Sequence, residues 1–219
     1  MIILDFERIW PSVPYILKGV QVTLTYTSVS LCLGFVWGAL LALCKVGNIS
    51  ALRWFAGFYT SVFRGTPLLL QLTLIYFAIP QLTGYIISVW EAGVLTFTLN
   101  SGAYVSEIIR GGINAVDKGQ REAALSLGVS YSSMMKDIVL PQAIRNILPS
   151  LVNEAVDLLK ESSLISVIGG ADILRRANIV ALEKYLYFEP LLVAGFLYYI
   201  LVMVLTIAAH FLEKKLKTS

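Results

Sequence analysis

Residues 119–141 read GQREAALSLGVSYSSMMKDIVLP, a polar and charged interlude in a chain otherwise fit to dissolve in lipid. A helix begun near Gly119 places Glu122 in its first turn. Ala123 and Ala124 then leave a low surface that another backbone can approach, and Gly128 ends the helix where a left-handed residue costs little. A second short helix fits 131–139, and Pro141 marks a new start. Such a helix-turn-helix is shaped like a knob for a socket on a soluble partner. The plain alternative is an ordinary loop with helical propensity.

What surrounds the knob sets its place. Of 219 residues, 57% are hydrophobic and only 14% charged, and the mean hydropathy is +0.76. A soluble domain carries about 25% charge, so this chain belongs in a bilayer, as a single domain over 1–219. About 20 apolar residues cross roughly 30 Å of hydrocarbon as a helix, and lipid satisfies no backbone polar group, which makes helices the default span. Five are expected: 16–44, 67–85 (entered through an amphipathic stretch, 51–63), 91–110, 144–169 and 190–212. The apolar runs are continuous rather than alternating, which excludes a closed barrel. The expected fold class is an all-α polytopic membrane protein.

Lysine and arginine set the orientation, because cytoplasmic loops carry their excess. With the N-terminus outside, the inner loops and tail collect ten, from Lys45 and Arg53 to Lys214, Lys215 and Lys217, and the outer segments five. This favours N-out and C-in, with 111–143 as the large cytoplasmic loop. Residues 1–15 contain Asp5, Glu7, Arg8 and Trp10 with two prolines. They lack the basic start and cleavage site of a signal peptide and read as a short interfacial helix with Trp10 at the headgroup level. Cys32 and Cys44 stand about 18 Å apart along one helix, cannot pair, and read as packing residues. No metal role is expected.

The loop carries Glu122, Ala123, Ala124, Gly128, Ile138, Leu140 and Pro141 in the spacing Glu-Ala-Ala, three residues, Gly, nine residues, Ile, one residue, Leu-Pro. This resembles the cytoplasmic signature of ATP-binding cassette (ABC) importer permeases, in which the loop between spans 3 and 4 forms the coupling helix that docks on the ATPase. FRGTPLLLQL from Phe63, LNSGAYVSEIIRGGI from Leu99 and NEAVDLLKESSLISVIG from Asn153 are similar to the polar amino-acid uptake subfamily, the histidine, arginine and glutamine permeases. The resemblance implies a type I importer-like bundle in the bacterial cytoplasmic (inner) membrane. It implies work as a pair, with a second copy or a paralogue, together with two ATPase subunits and an external solute-binding protein. The chain has no G-x-x-x-x-G-K-[ST] phosphate loop, so ATP and its magnesium are expected on the partner and no cofactor here. Lipid and an amino acid are its other expected partners; nucleic acid is not. Ala123, Ala124 and Gly128 are then expected to pack in the ATPase groove, with Glu122 pairing with a basic partner residue or capping its own helix.

Ionisable groups inside spans are expensive and mark pathways. Glu154, Asp157 and Glu161 share one face of the fourth span by the 3.6-residue period, and Asn100 stands at mid-depth of the third. These four are the expected substrate-binding residues. The competing reading is structural: Lys160 or Arg64 pairs with the acids, and Asn100 donates between helices. Three acids against one local lysine favour a cationic amino acid (arginine, lysine or histidine), with glutamine or glutamate open. Glu107 and Arg110 are expected to pair, Thr66 to cap a helix beginning at Pro67, and the basic tail from Glu213 to lie on the membrane surface. A stand-alone ion-coupled carrier is the alternative function. No nucleophile triad or metal motif of an intramembrane enzyme is present.

Overall fold

The computed structural model describes residues 4–217, and within 212–217 the side chain of Lys214 alone. The basic tail from Glu213 continues α11 as helix to Lys217, while residues 1–3 of the interfacial segment lie outside what is described. Asp5 accepts from Arg8 N at 3.2 Å and starts α1 (Phe6–Ile9), which runs through a 3-10 turn (Trp10–Ser12) into α2 (Val13–Val46). The expected interfacial helix is therefore a foot on the first span, with Trp10 75% exposed. At 34 residues α2 is about 51 Å long. It is followed by α3 (Ser50–Gly65), which buries only Ala56 and Thr60.

The chain then bends by 102° into α4 (Leu68–Thr73), a π-helical turn (Leu74–Ala78) and α5 (Ile79–Thr83). Thr66 does not cap the new helix, as the sequence suggested. Its hydroxyl donates back to Val62 O at 2.9 Å and closes α3, and Pro67 enters α4 without a side-chain cap. Where the sequence suggested a third span stands α6 (Val89–Asn114), opened by a reciprocal cap between Ser88 and Glu91. After α7 (Lys118–Ser126), α8 (Tyr131–Ser133) runs through a π-helical turn (Met134–Val139) into α9 (Leu140–Glu161). Pro141 stands, as the sequence suggested, at a start: it sits in the first turn of α9, where its missing N–H is least felt, directly after the widened turn. A 3-10 segment (Ser162–Ile168), α10 (Ile173–Lys184) and α11 (Phe188–Lys217) complete the chain.

By length and apolarity together, the stretch Phe6–Val46 and the helix Phe188–Phe211 qualify as spans, and the bent pair Ser50–Gly65 plus Leu68–Thr83 as a broken one. Helices α6 and α9, at 26 and 22 residues, reach about 39 and 33 Å and are long enough to cross, but they are more polar than those.

Helix α2 lies along α6 on a seam of small residues. A Cβ on Gly38 would stand 2.7 Å from the Val105 side chain, and one on Gly102 2.5 Å from the Trp37 ring. Without a hydrophobic drive in lipid, such close backbone approach is what holds helices together. At one end of the seam, Lys45 of α2 reaches Thr60 Oγ1 (3.0 Å), Ser106 Oγ (3.0 Å) and Glu107 Oε1 (2.5 Å), with its side chain 6% exposed. The expected Glu107–Arg110 pair is also present, at 2.6 Å. One buried ammonium therefore ties α2, α3 and α6. Replacing Lys45 with methionine leaves Glu107 short of its buried partner and should cost about 3 kcal/mol. The check is thermal unfolding in detergent, where an unchanged melting temperature would rule out a structural role for the tie.

Candidate functional site

The knob begins with Asp117, whose carboxylate accepts from Gly119 N at 2.6 Å and so caps α7. Glu122 is left exposed, and its carboxylate makes no bond among the described residues. Gly128 takes the left-handed conformation (φ 76°). Around it Gly128 N donates to Leu125 O at 3.0 Å and Val129 N to Ala124 O at 3.0 Å, the bonds of a helix ended by glycine. The chain then turns sharply, and Ser130 caps α8.

The turn sorts the small residues in a way the sequence did not reveal. Ala123 faces out, but Ala124 is 4% exposed and packs inward with Val116, Met134, Val139, Ala143 and Ile147. The outer surface instead presents Leu125 (53% exposed), Leu127 (84%) and Tyr131 (64%) beside Ala123, Glu122 and Gly128. Apolar side chains this exposed at a polar helix end, rimmed by Glu122 and Lys118, have the make-up of a small interface core.

On α9 the polar residues Asn146, Ser150, Asn153, Asp157, Lys160 and Glu161 are all exposed and fall on one face at helical spacing. This stripe makes α9 more polar than an ordinary span. Asp157 and Lys160 form an ion pair at 2.7 Å, both more than half exposed, a geometry that contributes little to stability. Glu161 has no ion-pair partner among the described residues. Glu154 is partly buried beside the Ser101 hydroxyl and lies in the field of Asp157, Glu161 and Arg64. Asp157, Lys160, Glu161, Ser163 and Leu164 line an open cleft of about 310 Å³, the lower end of small-molecule sites. Larger grooves of about 800 and 720 Å³ run along α2 and between α1 and α11; their walls are mostly apolar.

Asn100 is not brought to this cleft. It is 5% exposed, and its amide donates to Phe63 O at 3.1 Å and to Gln71 Oε1 at 3.0 Å. Gln71 in turn donates to Phe63 O (2.8 Å) and Thr66 Oγ1 (2.9 Å). Together they clamp the bend between α3 and α4 onto the middle of α6. Arg64, at the same bend, stacks on the Tyr104 ring at 5.1 Å.

Residues 34–218 match the family model described as binding-protein-dependent transport system inner membrane component. A putative glutamine transport system permease, GlnP, of Rickettsia felis is 55% identical over 209 residues, 95% of this chain and 96% of that protein. The arginine transport system permease ArtQ of Bacillus subtilis is 51% identical over 216 residues, 99% of each. Among solved structures, an amino acid ABC transporter crystallised with histidines superposes with a TM-score of 0.93 at 41% identity, covering 98% of this chain and all of that one. The MetNI methionine ABC transporter shares the fold, with a TM-score of 0.74 at 20% identity over 92% of this chain and 96% of that one. The ion-coupled carrier finds no support in these likenesses.

Proposed function

The chain belongs to the family of inner membrane components of binding-protein-dependent transport systems, and from that premise we propose how it selects cargo and where it takes its drive. It is a permease subunit of an amino-acid ABC importer, a multi-pass protein of the bacterial inner membrane. In our reading it has five spans, N-terminus outside, and works as a pair with two ATPase subunits that hold ATP and magnesium. An external solute-binding protein delivers the amino acid.

The cargo is a basic amino acid, and the exposed stripe of α9 carries this reading. Asp157 and Glu161 outnumber Lys160 at the cleft, and Glu154 adds a third acid one turn away, so the wall is net negative where the side chain of arginine, lysine or histidine would pass. A charge in a span is tolerated where it serves a pathway. Asn100 holds the α3–α4 bend rather than touching cargo. The relative named for arginine transport agrees with this choice and the one named for glutamine does not, so the cargo must be measured directly. With the chain, its ATPase and its binding protein in liposomes, labelled arginine, lysine and histidine should each enter faster than glutamine at equal concentration. Glutamine entering faster would overturn the basic-cargo reading and leave the importer itself standing.

The drive enters through the knob. Ala123, Leu125, Leu127 and Gly128 form the surface that seats in the ATPase groove, Ala124 supports it from inside, and Glu122, exposed and without a bond among the described residues, stands ready for a basic residue of the partner.

A further inference from the structure

We propose that Gln120 and Arg121 key the coupling helix to the third and fourth spans, so that a push on α7 moves both spans as one body, with Arg121 as the positioning residue of the joint. The proposal rests on the reading of 111–143 as the ATPase-docking loop. Arg121 Nη2 donates to the carbonyl of Ile113, in the last turn of α6. A helix leaves its final carbonyls without intrahelical partners, and the negative end of its dipole attracts a cation. On the other flank Gln142, in the first turn of α9, donates through Nε2 to Gln120 Oε1 at 2.6 Å and to Ile138 O at 2.9 Å. Two successive residues of one short helix thus reach opposite neighbours.

Beneath them, Ala124 shares a core with Val116, Val139, Ala143 and Ile147, residues of the α6–α7 link, the π-helical turn and α9. Apolar contact is non-directional and would let α7 roll on that core; the two hydrogen bonds fix its register. Arg121 is partly buried, and its Nε–H has no acceptor among the described residues. The side chain therefore holds Ile113 with one donor left unsatisfied, as suits a group kept for position rather than for stability.

The test uses the full complex in proteoliposomes, with arginine as the cargo on the loaded binding protein. Three quantities are read for the parent, Arg121→Ala, Arg121→Lys and Gln142→Ala: ATPase capture, basal hydrolysis and cargo moved per ATP. Arg121→Ala should keep capture and basal hydrolysis within about twofold and lose about tenfold in cargo per ATP, the scale of a coupling mutation. Arg121→Lys, which keeps a donor for the Ile113 carbonyl, should recover most of the loss. Gln142→Ala, outside α7, should uncouple in the same sense. Parent-like cargo per ATP in Arg121→Ala would overturn the proposal, as would equal loss of capture in both Arg121 variants, the mark of a merely structural residue. A parent that captures no ATPase would overturn the docking reading beneath it.

Discussion

Replacing Leu127 with aspartate should weaken capture of the ATPase by at least ~100-fold while leaving the permease folded. Leu127 is 84% exposed and follows directly on α7 as its capping residue, so the chain loses no packing by the change. Seated in a partner groove, a leucine contributes about 1.5–3 kcal/mol through burial. An aspartate forced into the same apolar contact adds a desolvation cost of its own. The two effects together exceed ~3 kcal/mol, and each 1.4 kcal/mol is a factor of ten. Titration of labelled ATPase onto nanodisc-held permease measures this, with the melting temperature as control. Unchanged affinity would mean that the ATPase seats elsewhere on the knob.

Glu161→Gln should cut arginine uptake by about 10–100-fold with ATPase capture intact, and should slow glutamine uptake far less. At the cleft Asp157 and Lys160 pair at 2.7 Å, so Glu161 is the acid there without an ion-pair partner among the described residues. A unit charge near a cation at an effective dielectric of about 20 interacts by at most ~4 kcal/mol at 4 Å, and the open geometry lowers this to roughly 1–3 kcal/mol. Asp157→Asn should act in the same sense, because it frees Lys160 to oppose a cationic cargo. Uptake rates for both amino acids, taken with the same binding protein, separate a loss of charge selection from a general loss of transport. Equal slowing of arginine and glutamine would count against a selective role for Glu161.

Much of this architecture was legible because its causes are local. Gly128 closes α7 with a positive φ that glycine alone adopts without cost, and the stretch 144–161 carries its acids at helical spacing. What escaped the sequence depends on neighbours far along the chain. Periodicity gave α7 two faces but not which one the bundle covers, so Ala124 was expected at the partner surface although Val139 and Ala143 bury it. Asn100 is expected at mid-depth as a substrate residue, yet its amide is tied to Phe63 and Gln71, 37 and 29 positions away, a pairing that no local pattern predicts. Lys45 counted only as a loop charge for orientation, and its burial against Thr60, Ser106 and Glu107 could not be read from spacing. Leu127 gives no local signal, because a lone leucine beside a glycine looks like any other until its exposure (84%) is known.

The most direct test of the central claim is uptake of labelled arginine into liposomes that hold this chain with its ATPase, with the binding protein outside and ATP inside. The account predicts accumulation that needs all three proteins and ATP, and that stops when the ATPase is omitted or the permease carries Leu127→Asp. Uptake by the chain alone, driven by an ion gradient and indifferent to ATP, would contradict it.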